Sequence, residues 1–228
     1  MNISKIMLLA AAAAIMPTTA NAAIVITQGP GTALGAFSFS VSGTNITINE
    51  TWTNTSNVFL LFTGLTAGVS YTVTKKVINN SGSTWSSVAN ELLDPGVDAA
   101  DPKPQPSFVP VGWSTSNNSD GLSFDQGGSI PRVSSAFPTV VVDELSDTRD
   151  FIDFLGGPGV ASGAPMFTMS YGLIDGSGAN DGFLLSQRVN VRSVAAVPEP
   201  GSWLMMMAGF GIVGGVARRR MRTSISYA

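Results

Sequence analysis

Alternation between apolar and small polar residues is the sequence feature that most constrains the fold of this chain. The segment AFSFSVSG places Phe37, Phe39 and Val41 on one side of an extended chain and serines on the other. NITINETW, SYTVTKKVIN, MFTMSYGLI and FLLSQRVNVRS continue this period of two, the last with a slip near Gln187. Because successive side chains of a strand point to opposite faces, the pattern predicts half-buried antiparallel strands.

Turn-forming residues separate these segments, among them NNSG at residues 79–82 and DG at residues 181–182. Such residues favour the backbone conformations that reverse the chain. Several short strands with turns between them predict an all-β body, a β-sandwich or jelly-roll-like ectodomain over residues 23–196.

Three segments depart from the alternation. Residues 85–94 are compatible with a short helix or an irregular strand. Residues 94–110 hold five prolines and few apolar residues, which is typical of a long extended loop. Residues 140–154 are compatible with a strand that runs into one or two helical turns.

The composition excludes several kinds of chemistry. The chain has no cysteine and no histidine, so it can form no disulfide, no zinc–sulfur site and no Ser-His-Asp triad. Residues 23–196 hold seven basic against fourteen acidic residues, which predicts no nucleic-acid partner, because that binding depends on neutralising phosphates. We expect a protein that is not an enzyme and that carries no cofactor.

The N-terminus has the three parts of a secretory signal peptide. Lys5 supplies the positive region, residues 6–16 form the apolar region, and an A-x-A cleavage site with Ala20 and Ala22 follows. We expect residues 1–22 to direct export through the Sec translocon, and signal peptidase to remove them after Ala22.

The C-terminal region predicts a membrane anchor. Residues 201–217 carry no charge and are just long enough to cross a bilayer as a helix. Trp203 suits a membrane–water interface, and the arginines at 218–220 resist transfer across hydrocarbon. The sequence therefore predicts a transmembrane helix that holds the body outside the cell and the arginines in the cytoplasm.

The order and spacing of residues 197–228 resemble the PEP-CTERM sorting signal, in its PEPxxWxMMxxGFGxxGxxxRRR form. The matching residues are Pro198, Glu199, Pro200, Trp203, Gly209, Gly211, Gly214, Arg218, Arg219 and Arg220. The resemblance implies recognition by an exosortase, a membrane-embedded, transpeptidase-like enzyme that cuts near Pro-Glu-Pro and releases or re-attaches the protein. It also implies a Gram-negative bacterium that makes exopolysaccharide, with the protein anchored briefly in the inner membrane and then carried to the cell surface or extracellular matrix.

A second resemblance lies in the body of the chain. YTVTKKVINNSGSTWSSVANELLD is similar to a segment of other PEP-CTERM proteins, in which a strand, an Asn-Ser-Gly turn and a Trp-containing strand form a hairpin. The resemblance implies a hairpin here and supports a sandwich, but it brings no activity.

One acidic cluster leaves other functions open. If residues 143–153 were helical, Asp143, Asp147 and Asp150 would share a face. Such a set could bind Ca²⁺, or act as the carboxylate pair of a carbohydrate-active enzyme. A solvated acidic surface is the simpler interpretation.

Aromatic and basic residues of the body offer further candidate contacts. Trp52, Trp85 and Trp113 would stack on sugar rings if exposed in line, although tryptophan in a sandwich is usually buried. Lys75 and Lys76 are expected to be solvated.

The sequence thus predicts an exported, exosortase-processed surface or matrix protein with a structural or adhesive role linked to exopolysaccharide and biofilm. The alternatives are an extracellular carbohydrate-binding or carbohydrate-active protein that uses the aspartate cluster, and a calcium-stabilised binding module.

Overall fold

The computed structural model describes residues 23–29, 31–32, 34–96, 106–116, 121–125, 130–143, 149–176 and 182–192, with Phe210, Val216 and Arg218 beyond them. Contacts divide the chain into a unit at Met1–Val191 and a unit at Arg192–Ala228. The strands all belong to the first unit. The predicted signal peptide, residues 1–22, lies outside the described residues.

The first unit is built from strands joined by turns. In chain order they are β1 (Val25–Gln28), β2 (Leu34–Ser42), β3 (Asn45–Trp52), β4 (Val58–Thr63), β5 (Ser70–Asn79), β6 (Trp85–Pro95), β7 (Trp113–Thr115), β8 (Leu122–Ser123), β9 (Val133–Ser134), β10 (Thr139–Asp143), β11 (Phe151–Val160), β12 (Phe167–Asp175) and β13 (Phe183–Val191). The prediction of an all-β body is confirmed.

The strands form two sheets. Sheet A has the order β1-β4-β13-β6-β11-β10, and β7 pairs with the end of β6. Sheet B has the order β2-β3-β5-β12-β8, and β9 pairs with β12. Apolar residues of both sheets belong to one buried core, as a β-sandwich requires.

Aromatic rings mark the centre of that core. The rings of Trp52 in sheet B and Trp85 in sheet A meet edge to face, with their centroids 5.1 Å apart. Phe167 packs edge-on against Trp85 in turn. Edge-to-face contacts bring the positive rim of one ring to the negative face of the next.

Strands β3 and β5 run parallel, with Ile48 opposite Lys75. The chain leaves sheet B after β3, forms β4 in sheet A, and returns to sheet B as β5. Two changes of sheet restore the original direction, so the prediction of antiparallel strands is wrong for this pair. The other paired strands of the described chain are antiparallel.

The prediction of a hairpin at residues 79–82 is also wrong, because β5 lies in sheet B and β6 in sheet A, so the two strands do not pair. The buried side chain of Asn79 holds this crossing: its amide donates to the carbonyls of Ser83 and Val160, both at 2.9 Å. Its oxygen accepts hydrogen bonds from the backbone and hydroxyl of Ser81, and that hydroxyl also accepts from Trp85 Nε1 at 2.9 Å. Gly82 takes the left-handed conformation that the bend needs.

Two of the three segments that departed from the alternation contain strands, whereas the extended loop predicted at residues 94–110 lies largely outside the described residues. Residues 85–94 lie within β6, so the helical alternative is wrong there. Residues 140–143 belong to β10 and residues 151–154 to β11, which pair as neighbours, and no helical residue occurs at 149–154.

Candidate functional site

The predicted sorting and processing residues lie almost wholly outside the described part of the chain. These are Ala20, Ala22, Pro198, Glu199, Pro200, Trp203, Gly209, Gly211, Gly214, Arg219 and Arg220. Arg218 is described, and it is helical and exposed. Within the described residues no helix is both long and apolar enough to cross a membrane, and the segment predicted to do so, residues 201–217, lies mostly beyond them.

The aspartate cluster does not form a helical face. Asp143 ends β10, Asp147 lies outside the described residues, and Asp150 immediately precedes β11. Asp150 is fully buried, and its carboxylate accepts a hydrogen bond of 2.7 Å from the hydroxyl of Ser116. Among the residues with described positions, no three acidic groups are placed to hold a metal ion.

The tryptophans do not form an exposed row. Trp52 and Trp85 are fully buried in the core. Trp113 is half-buried and packs against a smaller apolar cluster on the outer face of sheet A. Stacking of sugars on all three rings does not fit this arrangement.

Lys75 is buried, which makes the prediction that it is solvated wrong. Its ammonium lies 3.0 Å from Glu50 Oε1, and both side chains have no exposed surface. Gln187 Nε2 donates to the same oxygen at 3.0 Å, and Trp52 Nε1 donates to Glu50 Oε2 at 3.1 Å. We call Glu50, Trp52, Lys75, Tyr171 and Gln187 the inner cluster, because it lies between the sheets.

Several polar atoms of the inner cluster remain without a hydrogen bond. Among the described residues, Lys75 Nζ, although close to Glu50, makes no hydrogen bond of good geometry, and neither Gln187 Oε1 nor the Tyr171 hydroxyl has a partner. Burial lowers the pKa of Lys75, and the charge of Glu50 only partly opposes it. Burial, reinforced by Glu50, raises the pKa of Tyr171 well above its ordinary value.

A second buried glutamate lies on the opposite face of sheet A. Arg149 donates to both carboxylate oxygens of Glu91, from Nε at 2.5 Å and from Nη2 at 2.7 Å. Arg188 Nη2 donates to Glu91 Oε2 at 2.9 Å. The guanidinium of Arg188 lies 3.4 Å from the ring centre of Phe108, which stacks over it. Glu91, Phe108, Arg149 and Arg188, with Asp153 beside them, form the outer cluster.

The pKa values of the outer cluster follow from its partial burial. The hydrogen bonds to Glu91 raise the pKa of Arg149, whereas burial lowers that of Arg188. Burial also raises the pKa of Asp153, against the pull of the two arginines. The bidentate contact satisfies the carboxylate. Because Phe108 stacks on Arg188, the outer cluster fixes the loop that carries Phe108 against sheet A.

The outer face of sheet B is polar and nearly uncharged. Hydroxyl groups lie side by side across four strands at Ser40, Thr47, Thr74 and Ser170. The next row consists of Ser38, Asn49, Lys76 and Thr168. These eight residues, here called the hydroxyl face, are half-buried or exposed, and Lys76 is the one charged member.

The alternation of side chains between the two faces of each strand could have located the inner cluster. Lys75 shares its face of β5 with Tyr71 and Val73, and Glu50 shares its face of β3 with Ile46 and Ile48. A charge on an otherwise apolar face signals either a buried pair or a broken pattern. No comparable signal placed Gln187 beside them, because that contact depends on how the two sheets face each other.

A family model, the PEP-CTERM protein-sorting motif, matches residues 196–220. Comparison with curated proteins and with solved structures gives no match. The chain therefore carries the PEP-CTERM sorting motif, which marks an exported protein that an exosortase sorts to the cell surface. The prediction made from residues 197–228 is confirmed in this respect.

Proposed function

We propose that this chain is an exosortase-processed surface or extracellular-matrix protein with a structural or adhesive role in an exopolysaccharide layer. The sorting motif at residues 196–220 carries the proposal. It follows directly on a β-sandwich whose last strand ends at Val191. In the proposed sequence of events, signal peptidase removes residues 1–22, residues 201–217 anchor the chain in the inner membrane, and cleavage near Pro198–Pro200 then releases the body or re-attaches it at the surface.

The role of the body is proposed to be binding rather than catalysis. The carboxylate of Asp150 is buried and hydrogen-bonded to Ser116, which is a poor setting for attack on a substrate. The hydroxyl face offers the opposite: an accessible array of donors and acceptors that suits a polymer rich in hydroxyl groups. The neighbouring hydroxyls of Thr74 and Ser170, 3.4 Å apart, mark the centre of this face.

Deletion of residues 198–200 in the producing bacterium tests the sorting step. We expect full-length protein to accumulate in the inner membrane, because the exosortase then lacks its recognition sequence. Deletion of residues 193–195, of equal length but outside the matched motif, is the control and should leave processing unchanged. Normal processing of the first variant, seen by membrane fractionation and mass spectrometry, would reject the proposal.

Binding to exopolysaccharide purified from the same bacterium tests the adhesive role. The variant T74E places a charge in the middle of the hydroxyl face, where desolvating it against a bound polymer is unfavourable. We expect co-sedimentation to fall about tenfold, since removing one hydrogen bond from a binding surface costs on the order of 1–2 kcal/mol. V141E, at an exposed position of β10 in sheet A, is the matched control. Equal binding by T74E and the unaltered chain would place the adhesive surface elsewhere.

A further inference from the structure

The inner cluster brings an amine, a carboxylate and a primary amide together where solvent does not reach. Lys75 Nζ and Gln187 Nε2 each lie 3.0 Å from Glu50 Oε1, so they are separated by no more than twice that distance. All three side chains are fully buried. Lys75 comes from β5 of sheet B and Gln187 from β13 of sheet A, so a bond between them would join the two sheets.

As a purely non-covalent arrangement this cluster is poorly satisfied. Within the part of the chain that the structure describes, Lys75 Nζ and Gln187 Oε1 both lack a hydrogen bond of good geometry. Buried polar groups in folded proteins nearly always have partners, and each exception calls for a physical explanation. A buried ion pair is also costly to desolvate unless its remaining hydrogen-bonding capacity is filled, which here it is not.

We propose that Lys75 and Gln187 react with each other to form an amide cross-link between Nζ and Cδ, with Glu50 carrying the protons. This inference is independent of the proposed role at the cell surface. It assigns to the core of the sandwich a chemical step that the chain carries out on itself, once, after folding.

The step balances without any other reactant. Glu50 first takes a proton from the Lys75 ammonium, and the neutral amine then attacks Cδ of Gln187. Glu50 gives that proton to the departing Nε2, the Cδ–Nε2 bond breaks, and ammonia leaves. Glu50 finally takes the extra proton from the new amide nitrogen. The products are a secondary amide, a neutral carboxylic acid and ammonia, so the buried charge pair is removed.

The surroundings favour this course of reaction. The lowered pKa of Lys75 makes its amine easier to deprotonate, as nucleophilic catalysis by lysine requires. Trp52 Nε1 holds Glu50 Oε2 at 3.1 Å, which orients the other oxygen toward both reacting groups. Ile48 and Met169, the fully buried neighbours of Lys75 on either side in the sheet, exclude water that would compete as a nucleophile.

The position of the cross-link suits a protein attached through its C-terminal side. β13 is the last strand before the sorting motif, and it pairs with β4 and β6 inside sheet A. A pull applied beyond Val191 reaches β13 first. A covalent link from Gln187 to β5 would pass that force to sheet B as well, so β13 could not be peeled from the sandwich on its own.

Peptide mapping of the full chain, purified in its folded state and digested with trypsin, decides the proposal. We expect a branched peptide in which the segment holding Lys75 is joined to the segment holding Gln187, with the mass of one ammonia molecule missing. Recovery of both segments as separate, unmodified peptides would overturn it. A branch from Lys75 to any other residue would overturn the assignment of Gln187.

Paired variants identify the reacting groups. K75M removes the amine and should abolish the branched peptide, whereas K76M, one residue along on the hydroxyl face, should leave it in full yield. E50Q should slow formation of the bond by about 10²-fold or more, the typical contribution of a positioned general acid–base. E50D, which keeps an acid in the cluster, should form the bond at an intermediate rate and covers the case in which E50Q does not fold. An E50D rate and yield equal to those of the unaltered chain, or an unchanged branched peptide in K75M, would contradict the proposed roles.

Discussion

The inner and outer clusters each contain a glutamate without solvent contact, but they pair its carboxylate differently. Glu91 in the outer cluster has two guanidinium partners, one of them bidentate, and Phe108 stacks over Arg188. Glu50 in the inner cluster has one ammonium at 3.0 Å, and polar atoms around it stay unpaired. The planar guanidinium fills the lone pairs of a carboxylate, whereas the compact ammonium of a lysine does not.

The difference separates the cluster that holds a loop in place from the one for which we propose a reaction. Arginine does not lose its proton in a protein, so the ion pairs between Glu91 and the two arginines of the outer cluster cannot be neutralised from the arginine side. Lysine can lose its proton, and burial already lowers the pKa of Lys75. A satisfied cluster whose cations stay charged serves to fix a loop, while an unsatisfied cluster with a neutralisable amine is the one for which we propose a reaction.

The largest expected effect comes from E91Q, which takes from two partly buried guanidinium groups the carboxylate that both of them bind. We expect the free energy of unfolding to fall by about 3 kcal/mol, the lower end of the range for breaking a buried pair, because Arg149 and Arg188 keep some solvent contact. Urea unfolding measures the change. E91D, which retains the charge, should lose less. Equal losses for E91Q and E91D would mean that the negative charge at residue 91 does not stabilise the two arginines.

F108A tests whether the outer cluster holds its loop in place. Removing the ring takes away the cation–π contact with Arg188 and apolar packing on sheet A, for an expected loss of about 2 kcal/mol. Limited proteolysis should also cut near residues 106–112 faster. V111A alters a fully exposed side chain of the same loop and should change neither property. A protease pattern like that of V111A would show that the loop is held by other contacts.

Y171F should act in the opposite direction, because it removes a buried hydroxyl that has no partner. We expect a gain of about 1 kcal/mol, since leaving such a group unpaired carries a desolvation penalty. Y71F is the matched control: the Tyr71 hydroxyl accepts a hydrogen bond from the backbone of Thr66, so its loss should destabilise the fold. A loss of stability in Y171F would show that the inner cluster is satisfied after all.

Stability at alkaline pH should also depend on the buried hydroxyl of Tyr171. The pKa of Tyr171 is raised in the folded state, so above pH of about 10 the unfolded chain releases this proton while the folded chain keeps it. Stability from this group is therefore lost as pH rises past the ordinary tyrosine value. Y171F removes that loss, and thermal melting of both proteins from about pH 9 to 11 measures the difference. Parallel curves would contradict the raised pKa.

D153N is expected to have the smallest effect, a slight gain in stability at neutral pH. Burial raises the pKa of Asp153, so its charged form disfavours the folded state. As pH falls through the raised pKa toward the ordinary value of 3.8, the group contributes stability in the unaltered chain but not in D153N. Thermal melting between about pH 4 and 7 should show the two curves converging in acid. A gap that widens in acid would reverse the sign of the shift.

Local patterns predicted much of the body of this protein. Period-two alternation identified the strands that carry the core, and Ile46, Ile48, Tyr71 and Val73 lie on the buried faces that parity gives them. The order and spacing of the C-terminal residues predicted the sorting motif, since a sorting enzyme reads a short linear segment. Both signals are local in sequence, and so the sequence alone contains them.

Pairing between distant strands was decided by the tertiary structure. The NNSG turn has the composition of a hairpin, yet Asn79 and Ser81 use their side chains to carry the chain across to the other sheet. The parallel pairing of β3 with β5 likewise depends on β4 leaving for sheet A. Turn residues specify a change of direction, but they do not specify which sheet the next strand joins.

Residue type and spacing alone fix the strand faces, the absence of cysteine and histidine chemistry, and the sorting motif. Only the tertiary structure brought Gln187 to Glu50 and Lys75, residues more than a hundred positions away along the chain. It also buried Asp150 and the first two of the tryptophans. Contacts across a sandwich depend on how two sheets face each other, and that is set by the sum of all the strand pairings rather than by any one segment.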